Sequence, residues 1–210
     1  MAKSTRLQRE FFCRDTLRVA RDLLGVRLVR QESGKRISGT IVETEAYRGE
    51  EDQGCHARSG LTSRTAVMYG PPGHAYVYFT YGMHWMLNIV TETQSFPAAV
   101  LIRAILPVEG IDLIAQRRDS QPQERWTDGP AKICQALGIN GRLNGHNMCA
   151  PEAELFTEEG FAIPDSIVTK SARVGLNSVP EPWKSIPWRF KVTSNARLGI
   201  DQAFTRDIRR

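Results

Sequence analysis

Strand-forming segments follow one another through the middle of this 210-residue chain with no helical stretch between them. Ile37 to Tyr47 is rich in β-branched residues, with Thr40, Ile41, Val42 and Thr44, which pack well on a pleated surface. Ala75 to Val90 reads as a hairpin: Tyr76-Val77-Tyr78-Phe79, a break at Tyr81-Gly82, and an apolar strand from Trp85 to Val90. Ala98 to Arg103 adds another strand. A doubly wound sheet alternates its strands with crossover helices, so this clustering predicts an α+β fold instead.

Helices are expected at the flanks. Leu17, Ala20 and Leu24 recur at helical spacing between Asp15, which can cap the start, and Gly25, which can end it. Gly110 to Arg118 and Pro130 to Leu137 read as two more, the latter with Thr127 or Asp128 as cap and Gly138 as stop. Ser33-Gly34-Lys35 and Gly70-Pro71-Pro72-Gly73 are turns. The last third carries Pro164, Pro180, Pro182 and Pro187 and reads as loops and short strands ending in Trp188 to Val192. No repeat, low-complexity tract or linker breaks the chain, and one domain over 1–210 is expected.

Lysine and arginine number 28 against 23 acidic residues, a formal charge of +5. Arg6, Arg9, Arg14, Arg18, Arg21, Arg27, Arg30, Lys35 and Arg36 crowd the first forty positions, and Arg206, Arg209 and Arg210 close the chain. A solvated helix face and a phosphate-facing surface both account for such a run. The cysteines, Cys13, Cys55, Cys134 and Cys149, form no CxxC pair, the first ten residues are polar, and no apolar run approaches a membrane span. An intracellular protein with reduced thiols and no membrane association is expected.

All five tyrosines, Tyr47, Tyr69, Tyr76, Tyr78 and Tyr81, lie between positions 47 and 81. A buried phenol needs a hydrogen-bond partner. The cluster therefore fits either a stacking surface for flat rings such as bases or a sheet that favours aromatic residues. Glu43, Glu45 and Tyr47 fall on one face of their strand. A carboxylate in an apolar strand serves either as an ion-pair partner or as a general base acting on water. Asn88 is the polar side chain of the strand Trp85 to Val90, and backbone hydrogen bonds or a ligand would each explain it.

The four histidines contain no HxH or HxxxH pair, and Cys55 and His56, as neighbours on an extended chain, point apart. No metal and no cofactor are expected. GxSxG, the P-loop and GxGxxG are absent, which removes the usual signals for acyl transfer, nucleotide hydrolysis and dinucleotide binding.

The strings I-V-E-T-E-A-Y at 41–47, His56 nine residues on, Y-V-Y-F-T-Y-G-M at 76–83, Asn88, and L-I-R-A-I-L-P-V-E-G at 101–110 appear in that order. Together with D-G-P-A-K-I-C-Q-A-L-G-I at 128–139 and R-V-G at 173–175, this set resembles the alkyladenine type of 3-methyladenine DNA glycosylase over about residues 10 to 192. The resemblance implies one α+β domain around a curved, mainly antiparallel sheet, with flanking helices, a protruding β-hairpin, basic ends and no metal. It also implies a monomeric repair enzyme that flips alkylated or deaminated purines out of double-stranded DNA and hydrolyses the N-glycosidic bond. The purines in question are 3-methyladenine, 7-methylguanine, hypoxanthine and ethenoadenine. Carried over residue by residue, Glu45 matches the group that activates water and Arg103 the group that helps hold it. Tyr47 matches the ring on one face of the flipped base, with His56 and Tyr78 on the other. Asn88 matches the side chain that excludes guanine's amino group, and Tyr81 the wedge in the minor groove. Arg58 and Arg64 are candidate phosphate contacts, although Thr62-Ser63-Arg64-Thr65 stands where the family pattern has T-P-R-N.

Two other functions draw on the same features. A non-catalytic DNA- or RNA-binding module on the same sheet explains the arginines and tyrosines but leaves Glu43 and Glu45 facing a polyanion. A hydrolase of free nucleosides would need neither the basic ends nor an exposed Tyr81-Gly82 tip.

Overall fold

A computed structural model describes residues 5–193; Arg206, Arg209 and Arg210 lie outside the described residues. A single helical turn, α1 (Arg9–Phe12), precedes α2 (Thr16–Asp22). The Asp15 carboxylate accepts from the Arg18 N–H at 3.0 Å and caps α2, as its position predicts. β1 (Arg27–Glu32) and β2 (Lys35–Arg48) then form a hairpin. Its turn residues Ser33 and Gly34 have φ of 50° and 76°, the mirror-image geometry that matches the twist of paired strands. β3 (Ala75–Thr80) and β4 (His84–Val90) make the second hairpin, with Tyr81 and Gly82 at φ 52° and 68°. β5 (Ala98–Glu109), α3 (Ile111–Arg117), α4 (Pro130–Leu137), β6 (Leu155–Glu158), β7 (Val168–Ser171) and β8 (Arg189–Val192) complete the elements.

These strands build one eight-stranded antiparallel sheet in the order β3-β4-β5-β2-β1-β6, with β7 joined through β8 to β2. The architecture is α+β in a single domain, as the strand clustering predicts. β2 is its hub. One edge runs along β5, while the other pairs with β1 as far as Thr40 and then with β8 over Glu43 to Glu45. Val19 and Ala20 of α2, Leu23 at its C-cap, and Ile133, Ala136 and Leu137 of α4 are buried in one core with Ile41, Leu87 and Ile102 of the sheet. A smaller cluster, Cys55, Ala57, Met68, Tyr76, Val90 and Ala99, anchors the long loop after β2.

Three local expectations change. The cap of α4 is Gly129, with no side-chain bond; Thr127 donates to the Ile105 carbonyl and Asp128 pairs with Lys132. Pro130 at the first position needs no N–H partner there, which lessens the need for a capping side chain. β5 continues through Pro107 to Glu109, with Pro107 paired to Gly39 beside the register shift at Ser38 and Gly39, the kind of irregularity at which a strand tolerates proline. The basic N-terminal run turns inward. Arg14 pairs with Asp22, Arg21 with Asp165, Arg27 and Arg36 with Glu109, and fully buried Arg30 with Glu154, while Arg9 donates to the Pro72 carbonyl. Much of this charge therefore ties elements together.

Gly25, just past α2, is a crossing point. Its N–H donates to the Ile41 carbonyl at 2.8 Å and its carbonyl accepts from Phe161. Its φ is +90°, and a Cβ there would lie 2.1 Å from the Phe161 oxygen. Gly34 has a comparable φ of +76° with nothing within 4 Å. Gly25→Ala should therefore lose clearly more stability than Gly34→Ala. The Gly34 change carries only the left-handed backbone cost of ~1–2 kcal/mol, and the Gly25 change adds an overpacking cost of ~1–3 kcal/mol. Thermal unfolding of both variants checks this, and equal losses would show that the segment at 160–161 moves aside freely.

Candidate active site

β2 presents Glu43, Glu45 and Tyr47 on one face, as strand alternation requires, and Arg103 of β5 reaches across to the first two. Its Nε donates to Glu43 at 3.1 Å and its Nη1 to Glu45 at 3.2 Å. Between Ile41 and Thr44 the β2–β5 ladder shifts register and then recovers, so that Arg103 is skipped in the pairing. The shift lies beside the carboxylates, where an irregular ladder re-aims side chains.

Glu45 is fully buried. Its Oε2 accepts from the Tyr47 hydroxyl at 2.8 Å and from Arg103, and its Oε1 accepts from the Val174 N–H at 2.7 Å. Glu43, almost as buried, also receives Arg189 at 2.8 Å and Lys191 at 3.8 Å. Burial alone would raise the Glu43 pKa, but Arg189, Arg103 and Lys191 outweigh it and hold the carboxyl below its ordinary range. The Tyr47 phenol is pushed well up, by burial first and then by the Glu45 charge and hydrogen bond. It keeps its proton and donates.

Beside this cluster opens a cavity of about 330 Å³, lined by Tyr47, His56, Tyr78, Tyr81, Asn88 and Arg103 among others. The loop after β2 carries His56 to the cavity in a short 3-10 turn (His56–Ser59). Its Nδ1 lies 2.9 Å from the Tyr76 hydroxyl, and its ring meets that of Tyr78 edge-on at 4.5 Å. Burial, then Arg64 and Arg58, lower the His56 pKa to about 4, so its ring is neutral near pH 7. Asn88 is buried opposite Tyr76 on β4 and donates its Nδ2 to the Tyr76 carbonyl at 3.1 Å. The backbone bond accounts for the buried amide and holds it on the cavity wall. Tyr81 stands at the hairpin tip with 82% of its surface exposed, and Met83 beside it with 69%.

The structure thus gathers Tyr47, His56, Tyr78, Tyr81, Asn88 and Arg103 around one cavity, with Glu45 packed behind Tyr47 and Arg103. Arg64 is exposed and outside the lining residues, with its guanidinium carbon 5.2 Å from the ring centre of the lining residue Tyr78. Arg58 is not among the lining residues; it is exposed and donates to the Gln53 carbonyl. Burial raises the Cys55 thiol to about 12, which leaves it a poor nucleophile. Among the described residues, no group of three or more His, Cys, Asp or Glu side chains is placed to hold a metal ion, and no helix is long and apolar enough to cross a membrane.

Four contributors escape a reading of local pattern. Tyr76 supports His56, and the Val174 N–H holds Glu45. Asp52 and Arg173 form a fully buried bidentate pair, with Arg173 lying 4.6 Å from the Tyr47 ring centre. R-V-G at 173–175 was the available signal, but nothing local assigns that string a partner 129 residues earlier.

The family model described as methylpurine-DNA glycosylase (MPG) matches residues 10–196. A protein of Carboxydothermus hydrogenoformans, named "Putative 3-methyladenine DNA glycosylase", is 44% identical over 189 residues, covering 90% of this chain and 96% of its own. Proteins with the same name from Methanocella arvoryzae and Myxococcus xanthus are 47% and 45% identical, covering 88% and 91% of this chain and 90% and 92% of theirs. With the match extending over nearly the whole domain that carries the cavity, the chain belongs to the methylpurine-DNA glycosylase family, DNA-repair hydrolases that cleave N-glycosyl bonds.

Proposed function

We propose that this DNA glycosylase flips an alkylated or deaminated purine from double-stranded DNA into the 330 Å³ cavity and cleaves its N-glycosidic bond with a water activated by Glu45. The observation that carries the reading is the joining of a ring-lined cavity to a buried carboxylate on one strand and to an exposed tyrosine at a hairpin tip. The cavity falls within the ~300–1,000 Å³ usual for small-ligand sites. Its lining rings, Tyr47, His56 and Tyr78, would offer π-faces to a flat base. Neutral His56 places no charge against an alkylated purine that is itself cationic. Tyr81 would fill the gap left in the base stack, offsetting an unstacking cost of ~a few kcal/mol that a damaged, weakly paired base reduces.

The chemistry follows from the carboxylate's surroundings. As the C1′–N bond breaks, its electron pair leaves with the base and positive charge develops on the sugar, as in glycoside hydrolysis. Anionic Glu45 stabilises that charge, while water attacks C1′ and passes a proton to the carboxylate. A carboxylate has about four acceptor positions, of which Val174, Tyr47 and Arg103 occupy three, so one stays open to a water. The enzyme acts as a monomer, without a metal or cofactor.

Glu45→Gln tests the reading directly. It keeps the shape and loses the base and the charge. Single-turnover release of hypoxanthine from a duplex should fall by at least ~10²–10⁴-fold, with binding to lesion DNA retained. A wild-type rate would move the role elsewhere, with Glu43 next in line. An enzyme that binds lesion DNA without cleaving it, wild type included, would instead favour the non-catalytic binding module.

Tyr81→Ala should weaken the flipped state of an ethenoadenine duplex, read by the lesion's own fluorescence, and leave thermal stability unchanged, because the side chain is 82% exposed. An unchanged flipping equilibrium would remove the wedge role.

Asn88→Ala should raise the ratio of guanine to hypoxanthine release in matched duplexes, because guanine alone carries an amino group on the purine edge that the amide would face. The lost cross-strand bond should cost about 1 kcal/mol of stability. An equal fall in both rates would return Asn88 to a purely structural part.

A further inference from the structure

We infer that Arg173, clamped by Asp52, is a positioning residue that sets the geometry of Glu45 and Tyr47 together; this rests on Glu45 being the water-activating group. The Arg173 side chain is fully buried and so is that of Asp52. The guanidinium meets the carboxylate end-on through both terminal nitrogens, Nη1 to Oδ2 at 2.5 Å and Nη2 to Oδ1 at 2.7 Å. Nη1 also donates to the Ala46 carbonyl at 3.0 Å and Nη2 to the Trp183 carbonyl at 3.2 Å. Asp52 is held in turn by the N–H groups of Gly54 at 2.9 Å and Arg48 at 3.2 Å. One side chain thereby ties β2, the loop that carries His56, and the segment before β8.

That clamp ends on the reacting groups from two directions. Its guanidinium carbon lies 4.6 Å from the Tyr47 ring centre and 5.2 Å from that of Trp188. Arg173 itself does not line the cavity, so it braces Tyr47 without occupying the space a base would take. The next residue, Val174, donates its N–H to Glu45 at 2.7 Å. Fixing Arg173 thus fixes the ring that would stack on the base and a donor on the carboxylate that would activate water.

Stability alone gives a weak reason for such a pair. Buried ion pairs replaced by well-packed apolar side chains are often no less stable, and here the Nε of Arg173 has no partner among the described residues. A planar fork that grips a carboxylate in one orientation does set direction, which a lysine's point charge cannot.

The test uses the full chain and a duplex carrying one hypoxanthine, at saturating enzyme under single-turnover conditions. There the rate constant does not depend on the fraction of molecules folded, so a merely structural role leaves it unmoved. Arg173→Lys keeps the charge and removes the fork; its rate constant should fall about 10- to 100-fold, the scale of a small misplacement of reacting groups. Its affinity for an abasic-site duplex should be unchanged. Gly54→Ala gives a second, gentler displacement, because a Cβ there would stand 2.8 Å from Nη2 of Arg173 and 2.7 Å from Leu176. Its rate should fall in the same direction by a smaller factor; because Gly54 lines the cavity, Asp52→Asn, which weakens the clamp without adding an atom there, is read beside it and decides the matter if Arg173→Lys does not fold. Glu45→Gln is run alongside. A wild-type rate for Glu45→Gln removes the catalytic assignment itself. A slow Glu45→Gln beside wild-type rates for the folded Arg173, Asp52 and Gly54 variants removes only the positioning role.

Discussion

The ion cluster on the β2–β5 pair is the constraint on which the rest of the site depends. Two carboxylates inside a sheet are tolerable only where cations meet them at contact distance, since an unpaired buried charge is prohibitively costly. Arg103 meets both from across the ladder, and β8 brings Arg189 and Lys191 to Glu43 on the other edge. With Glu43 satisfied by three cations, Glu45 is the carboxylate bonded to Tyr47, directly behind the cavity wall. The pairing of β2 with β1 as far as Thr40 and with β8 from Glu43 is what makes room for those cations at that point of the strand.

Charge is distributed unevenly around the cavity. The carboxylates and the Asp52–Arg173 pair are buried behind it, while the lining side chains are mainly rings, the Asn88 amide and apolar groups, with Arg103 as the charged one among them. The environment of His56 keeps its ring uncharged, because burial and the arginines on its own loop all oppose protonation. A formal charge of +5 would invite the idea of a basic binding face on the first forty residues. The ion pairs of Arg14, Arg21, Arg27, Arg30 and Arg36 use much of that charge internally, whereas Arg64 remains exposed beside Tyr78. Net charge is a property of composition, and where it acts is decided by packing.

Local pattern was legible wherever the physics is local. Period-two alternation placed Glu43, Glu45 and Tyr47 on one face; β-branched content marked β2; left-handed turns at Ser33-Gly34 and Tyr81-Gly82 closed the two hairpins; Asp15 capped α2. The cap of α4 departs from its local pattern because Thr127 and Asp128, good capping residues by type, each find another partner in space. The order and spacing of several short strings pointed to the glycosylase family, and that identification extends over residues 10–196.

By itself, then, the sequence determined the strand and helix segments, the turns, and which side chains share a face, because each depends on neighbours within a few residues. Only the tertiary structure decided that Val174 would donate to Glu45 from 129 positions away, that Arg173 would grip Asp52 across 121, and that Arg189 and Lys191 would neutralise Glu43. These contacts come from pairing between distant segments, in which each buried charge is satisfied by whichever partner the sheet brings to it. Periodicity along the chain carries no record of that choice.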